Sequence, residues 1–302
     1  HAWVQIPPSP LGNARQRQTC RAWRPGAPIP NFDTGVNPDA WAFVPAGDFL
    51  SGRHNDPVTI DYDYEIMVTD AIVTQYTAFL NQALADGTLR IDGDQVLGFY
   101  PGDEFHGVNH EIEITVADYI FVPLDDAAAP FTFDGTAFAA RPGSENHPMT
   151  DVSWFGAWGY CGYYGGGLPS ELEWEKAARG SEDGRPFPWG YEIALNNVNF
   201  YASRDPFEEM GSFGSRSSPV GFYNGRTYDG YTTLDSVSPY SLDDMAGNVW
   251  QWTGDVYEGQ HCRSLRGGSK DTYDIDLRIL VRNNATPTYY SPGVGFRCTR
   301  DP

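Results

Sequence analysis

The sequence predicts an α+β domain that is loop-rich, with few helices and short, mostly antiparallel sheets. Three observations carry this. Gly (33) and Pro (23) punctuate the 302 residues heavily, and aromatics at 15 % supply a core that a disordered chain lacks. Short alternating runs recur between turn residues. Only three stretches carry helical periodicity or helix caps.

Residues 1–40 are proline-rich without periodicity and read as an extended N-terminal arm; 41–302 read as one domain. Residues 41–66 give the first strands, and Thr59–Ile66 alternates as one of them. A first helix runs through Tyr76, Phe79, Leu80 and Leu84, capped by Thr69 or Thr74 and closed by Gly87. Residues 88–146 read as an insertion. Within it, Ile112–Val116 and Tyr119–Val122 are strand candidates, and Phe131–Phe138 is a hairpin about an Asp-Gly turn. A second helix spans 153–163. Ser170 and Glu173 form a capping box that starts a third, which ends at Gly180. Residues 181–242 carry little regular pattern, and a loop that long in a compact domain is functional or cross-linked. Asp244–Thr253 reads as a turn feeding a strand, with Gly247 and Asn248 suited to positive φ. Gly267-Gly268 signals a bulge or a close backbone approach.

Three runs near the C-terminus then stand together: Asp244-Met245-Ala246-Gly247-Asn248-Val249-Trp250-Gln251-Trp252-Thr253, Leu265-Arg266-Gly267-Gly268-Ser269 and Gly295-Phe296-Arg297-Cys298. In this order they resemble the C-terminal signature of the formylglycine-generating enzyme (sulfatase-modifying factor) family, a variant of the C-type lectin fold. Upstream, Val44–Phe49, His147–Trp154, Leu168–Gly180, Pro188-Trp189-Gly190 and Ser218–Gly221 extend the resemblance over roughly residues 40–300.

The resemblance implies specific residues. It implies a disulfide between Cys161 and Cys298, which leaves Cys20 for Cys262. A first calcium position falls on Asn199 and Asp205 with the carbonyls of Phe200 and Phe207. A second falls on Asp244, the carbonyls of Gly247 and Val249, and the side chain of residue 251, where relatives usually carry Glu and this chain has Gln251. Hard oxygen ligands of this kind suit Ca²⁺. The enzymes bind copper(I) through two cysteines shortly after the Gly-Gly-Ser run. Those positions fall on Thr272 and Leu277, which form no thiolate, so the parent reaction is not expected. The histidine-rich iron motif of related sulfoxide synthases is absent as well. The loops that bind peptide in the enzymes, and ligands in lectin-fold receptors, carry Tyr273, Asn283, Asn284, Tyr289 and Tyr290, good recognition residues.

Composition narrows the partners. Forty acidic residues against twenty basic ones give a net charge of −20, which argues against nucleic acid. No apolar run approaches the roughly 18–20 residues of a membrane span. Four widely spaced cysteines favour disulfides and an oxidising compartment, and a chain starting at His1 is read as a mature secreted or periplasmic product. The expectation is therefore a secreted, non-catalytic scaffold that recognises a protein or small ligand at its C-terminal loops, or assembles into an oligomer or filament. The alternative is an oxidase acting on an exported peptide, with copper or iron held by histidines, the candidates being His1, His106, His110 and His261. A calcium-dependent lectin is a weaker reading, because the Glu-Pro-Asn or Gln-Pro-Asp triplet is absent.

Overall fold

The computed structural model describes residues 30–104, 113–201, 203–208, 216–257 and 262–302. The first strands are β1 (Trp41–Val44), β2 (Gly47–Ser51), β3 (Asp56–Ile60) and β4 (Tyr64–Met67). The alternating run 59–66 is therefore two strands. It breaks because Asp63 turns its carboxylate to the Ala46 N–H at 2.7 Å, and because β3 pairs with β2 whereas β4 pairs with β1.

Helix α1 (Val73–Ala85) buries Tyr76, Phe79, Leu80 and Ala83. Neither threonine caps it. Gln75 reaches back from the first turn to accept the Ile72 N–H at 3.0 Å, while Thr69 and Thr74 donate to the carbonyls of Asp70 and Glu145. Beyond it, β5 (Leu89–Asp92), β6 (Gln95–Tyr100) and β7 (Ala117–Pro123) form a three-stranded antiparallel sheet. The described part of 112–116 is not a strand; Ile114 instead offers its carbonyl to Asp103 N–H. The hairpin forms as β8 (Phe131–Phe133) and β9 (Phe138–Ala140), with Asp134 accepting from the N–H groups of Thr136 and Ala137.

Helix α2 (Trp154–Tyr163) is capped by Ser153, which accepts the Gly156 N–H. Helix α3 (Glu171–Arg179) starts on the reciprocal pair Ser170–Glu173. The region 181–242 holds only the two-residue strands β10 (Thr227–Tyr228) and β11 (Tyr231–Thr232) among its described residues. A four-stranded sheet follows, built from β12 (Trp250–Val256), β13 (Arg263–Arg266), β14 (Arg282–Ala285) and β15 (Val294–Phe296), in the order β14-β13-β12-β15. Its β12–β15 pair is parallel, an exception in a mostly antiparallel molecule. Last, β16 (Thr299–Arg300) joins β4.

Cys161 on α2 is bonded to Cys298, with Cα atoms 5.6 Å apart and a sequence separation of 137. Among the described residues the half-buried Cys262 has no disulfide partner, and Cys20, the partner expected for it, lies outside them. Residues 30–40 lie against the domain: Phe32 packs on Phe207, Phe222 and Tyr228, and Thr34 donates to the Val220 carbonyl. Among the described residues no helix is long and apolar enough to cross a membrane.

Candidate functional site

The signature runs build a buried polar hub. Arg297 is wholly buried. Its guanidinium donates to the carbonyls of Met67 (3.0 Å), Val68 (3.0 Å) and Asp243 (2.8 Å) and to the Gln251 amide oxygen (2.9 Å). Asp70 lies further off at 3.5 Å. Burial outweighs that guanidinium's pull and lifts the Asp70 carboxyl to about 8. Burial also lifts the neighbouring Asp243 and Asp244 to about 7 and about 6. Arg266 makes the other cluster, with Glu175 at 2.8 Å, Glu171 at 3.0 Å and the Ile279 carbonyl at 2.8 Å. Both signature arginines are therefore structural, but Arg297 serves carbonyls more than acids.

The turn before β12 takes the expected shape: Asp244, Gly247 and Asn248 all have positive φ. A Cβ on Gly247 would lie 2.1 Å from Val198 and 2.5 Å from the Asn199 carbonyl oxygen, so only glycine brings the two loops this close. This contact sets the two implied calcium positions side by side.

At the first position the donors fit a hard cation. Asp205 is buried, and among the described residues its carboxylate accepts from neutral groups: Ser203 and Tyr223 hydroxyls at 2.8 and 2.6 Å and the Phe207 N–H at 2.8 Å. Burial raises its pKa. A buried carboxylate with no cationic partner among the described residues is costly, and bound calcium would answer that cost. Asn199, also buried, donates its amide N–H to the Arg216 carbonyl. The Phe200 and Phe207 carbonyls accept from Ser203 and Arg216 N–H and keep a second lone pair each.

At the second position the set does not fit. Asp244 holds the Gly221 N–H at 2.7 Å. Gln251 spends its oxygen on Trp174 and Arg297 and turns its amide N–H to the Asp244 carbonyl at 2.7 Å. Gly247 and Val249 lie in the turn as expected, yet the fourth ligand faces away.

The copper positions are closed. Thr272 Oγ1 accepts the Ser269 N–H and donates to the Ser269 carbonyl, both at 2.9 Å. Leu277 ends a 3-10 turn (Asp274–Leu277) and is wholly buried with Phe187, Val198, Phe200 and Ala246. A Cβ on Gly268 would come within 2.6 Å of Leu277. Beside this turn, Lys270 is buried and pairs with Asp271.

The recognition residues divide. Tyr273 is 62 % exposed and meets Tyr201 edge-on, with ring centroids 5.1 Å apart. Tyr201 N–H donates to the Thr272 carbonyl at 2.9 Å, which ties the first calcium loop to the Thr272 turn. The sequence reading did not single out Tyr201, because only this long-range contact reveals it. Asn283 and Asn284 sit on the edge strand β14, and Tyr289 and Tyr290 lie in the loop that follows it. These two groups occupy different elements.

Of the histidines, His54 is exposed, and His1, His106, His110 and His261 lie outside the described residues. His147 is buried, with Nδ1 3.0 Å from the Ser217 hydroxyl and no hydrogen bond from Nε2 within normal geometry among the described residues. Burial lowers its pKa from 6.5 to about 4. A base whose folded pKa is depressed contributes fully above its unfolded value and less as pH falls. His147 is thus expected to cost stability on acidification from pH 6.5 towards 4, at up to about 1.4 kcal/mol per pH unit. Asp70, with its raised pKa, acts in the opposite sense between about pH 8 and 4. The difference between wild type and His147→Gln, followed by urea unfolding across pH 4–8, isolates the histidine.

Residues 30–302 match the sulfatase-modifying factor enzyme 1-like domain. The mouse protein named inactive C-alpha-formylglycine-generating enzyme 2 is 35 % identical over 161 residues, covering 50 % of this chain and 48 % of the relative. The formylglycine-generating enzyme of Thermomonospora curvata is 30 % identical over 195 residues, covering 56 % and 59 %. The chain thus spans about half the length of the curated relatives it matches. Two solved structures share the fold at low identity: PvdO from Pseudomonas aeruginosa (TM-score 0.57, 19 % identity, 87 % of this chain and 94 % of that one) and Treponema denticola variable protein 1 (0.51, 17 %, 87 % and 95 %). With the family match running over residues 30–302 and the signature runs building one buried hub, the chain belongs to the sulfatase-modifying factor enzyme 1-like family.

Proposed function

We propose that this chain is a secreted or periplasmic, non-catalytic member of its family that recognises a ligand or partner with the loops around Tyr201 and Tyr273. The observation that carries the reading is the closed copper position: Thr272 folded onto Ser269, and Leu277 buried in an apolar cluster. Copper(I) needs soft ligands, and this turn offers a hydroxyl and a methyl group. A relative named as inactive supports the same reading. The Cys161–Cys298 bond supports an oxidising compartment.

Calcium at the first position has a structural role in this proposal. It would hold the 199–207 loop, and through the Tyr201–Thr272 bond fix Tyr201 against Tyr273. Two exposed aromatic rings held by rigid backbone make a contact surface with little ordering cost. Self-association through the same surface or the arm is one form such recognition takes.

The test joins two assays. Wild-type chain given copper(I) and a cysteine-containing sulfatase peptide is expected to retain no stoichiometric copper and form no aldehyde; aldehyde formation would overturn the reading. Peptide and glycan arrays probed with wild type and with the Tyr201→Ala/Tyr273→Ala double variant are expected to show signals that the variant loses. Signals that persist would move recognition elsewhere.

A further inference from the structure

Gln251 is wholly buried at the centre of the hub. Its Oε1 receives the Trp174 indole N–H at 2.7 Å and the Arg297 Nε–H at 2.9 Å. Both groups can only donate. Two obligate donors meeting one end of an amide require that end to be oxygen. The flipped amide would set N–H against N–H twice. The other end is therefore NH₂, and it lies 2.7 Å from the Asp244 carbonyl oxygen, a proper acceptor. The orientation follows from the neighbours' chemistry.

This decides what the 244–249 turn can hold. Calcium takes oxygen lone pairs, whereas the group facing the turn carries partial positive charge. The Asp244 carboxylate is likewise engaged, by the Gly221 N–H. We infer that the Gln251 amide closes this turn in place of a metal ion, so that the second calcium position folds without calcium. A glutamate at 251 would keep the bonds from Trp174 and Arg297. Its other oxygen would then face the Asp244 carbonyl oxygen at hydrogen-bonding distance, beside a buried carboxylate. A cation between them, or a proton taken up by the glutamate, relieves that arrangement, and calcium in excess competes for the same place. One side-chain atom, nitrogen or oxygen, thus sets whether the turn takes calcium.

The test is calcium titration by calorimetry on the chelator-stripped full chain, with melting curves with and without calcium. Asp244→Asn is expected to leave the wild-type stoichiometry unchanged, since asparagine also accepts the Gly221 N–H and tolerates the positive φ. Gln251→Glu is expected to bind one more calcium per chain than wild type and to gain more in melting temperature on adding calcium. A wild-type calcium lost in Asp244→Asn overturns the inference, and so does a Gln251→Glu variant that folds with no added site. If Gln251→Glu does not fold, the Asp244→Asn comparison decides alone. Any ion at the first position is common to all three proteins and drops out of these differences.

Discussion

Arg297→Met is expected to lower folding stability by about 3–5 kcal/mol, the usual cost of removing one member of a buried charged network. The loss follows from what the guanidinium holds. Carbonyls of Met67, Val68 and Asp243 and the Gln251 oxygen all lose a donor at once. Met67, Asp243 and Gln251 are buried and have little access to water in exchange, whereas the half-buried Val68 keeps the Asp243 N–H on its carbonyl. Met67 and Val68 belong to or adjoin β4, Asp243 precedes the turn and Gln251 lies on β12, so the arginine fastens three segments. Arg297→Lys keeps the charge but lacks the planar fork that reaches them together, and most of the loss is expected to remain. Guanidinium chloride unfolding of the three proteins measures this. A methionine variant within about 1 kcal/mol of wild type would show that the hub does not hold the fold.

The second large effect is at Glu175. Its two oxygens serve Gly52 N–H at 2.7 Å, Arg179 at 3.0 Å and Arg266 at 2.8 Å. The two arginine side chains are 1 % and 2 % exposed, so Glu175→Ala leaves two guanidinium groups short of a counter-charge where water does not reach. A loss of about 3–5 kcal/mol is expected. Arg266 keeps Glu171 and the Ile279 carbonyl, which holds the cost near that range and not at twice it. Glu175→Gln preserves an acceptor for Gly52 and is expected to lose less. A double-mutant cycle with Arg266→Met separates the pair energy from the burial of the remaining charge.

What the sequence made legible was local. Helices α2 and α3 stood where expected because their caps lie within a few residues of their first turns, Ser153 for one and the Ser170–Glu173 pair for the other. The positive φ at Gly247 and Asn248 was equally local. Helix α1 was found but its cap was misplaced: an isoleucine with a reaching Gln75 leaves no capping hydroxyl to recognise. The run 59–66 alternated smoothly in sequence, yet a break came from Asp63 and Ala46, seventeen residues apart. The site follows the same division. Thr272 and Leu277 could be placed by counting from Ser269. The part played by Gln251 could not, because its partners Trp174 and Arg297 are 77 and 46 residues away, and no short window contains all three.

The bond between Cys161 and Cys298 has a consequence of another kind. With its ends 137 positions apart in sequence, it makes a closed covalent ring from most of the C-terminal half of the chain. Helix α3, the irregular stretch 181–242, the Thr272 turn and the hub strands β12 to β15 all lie within it. A single peptide bond cut anywhere in that ring leaves one molecule. Its pieces part only when the disulfide is reduced, so a nicked chain would run as intact until a thiol is added. In an environment rich in proteases, a loop within the ring would be clipped once without being shed.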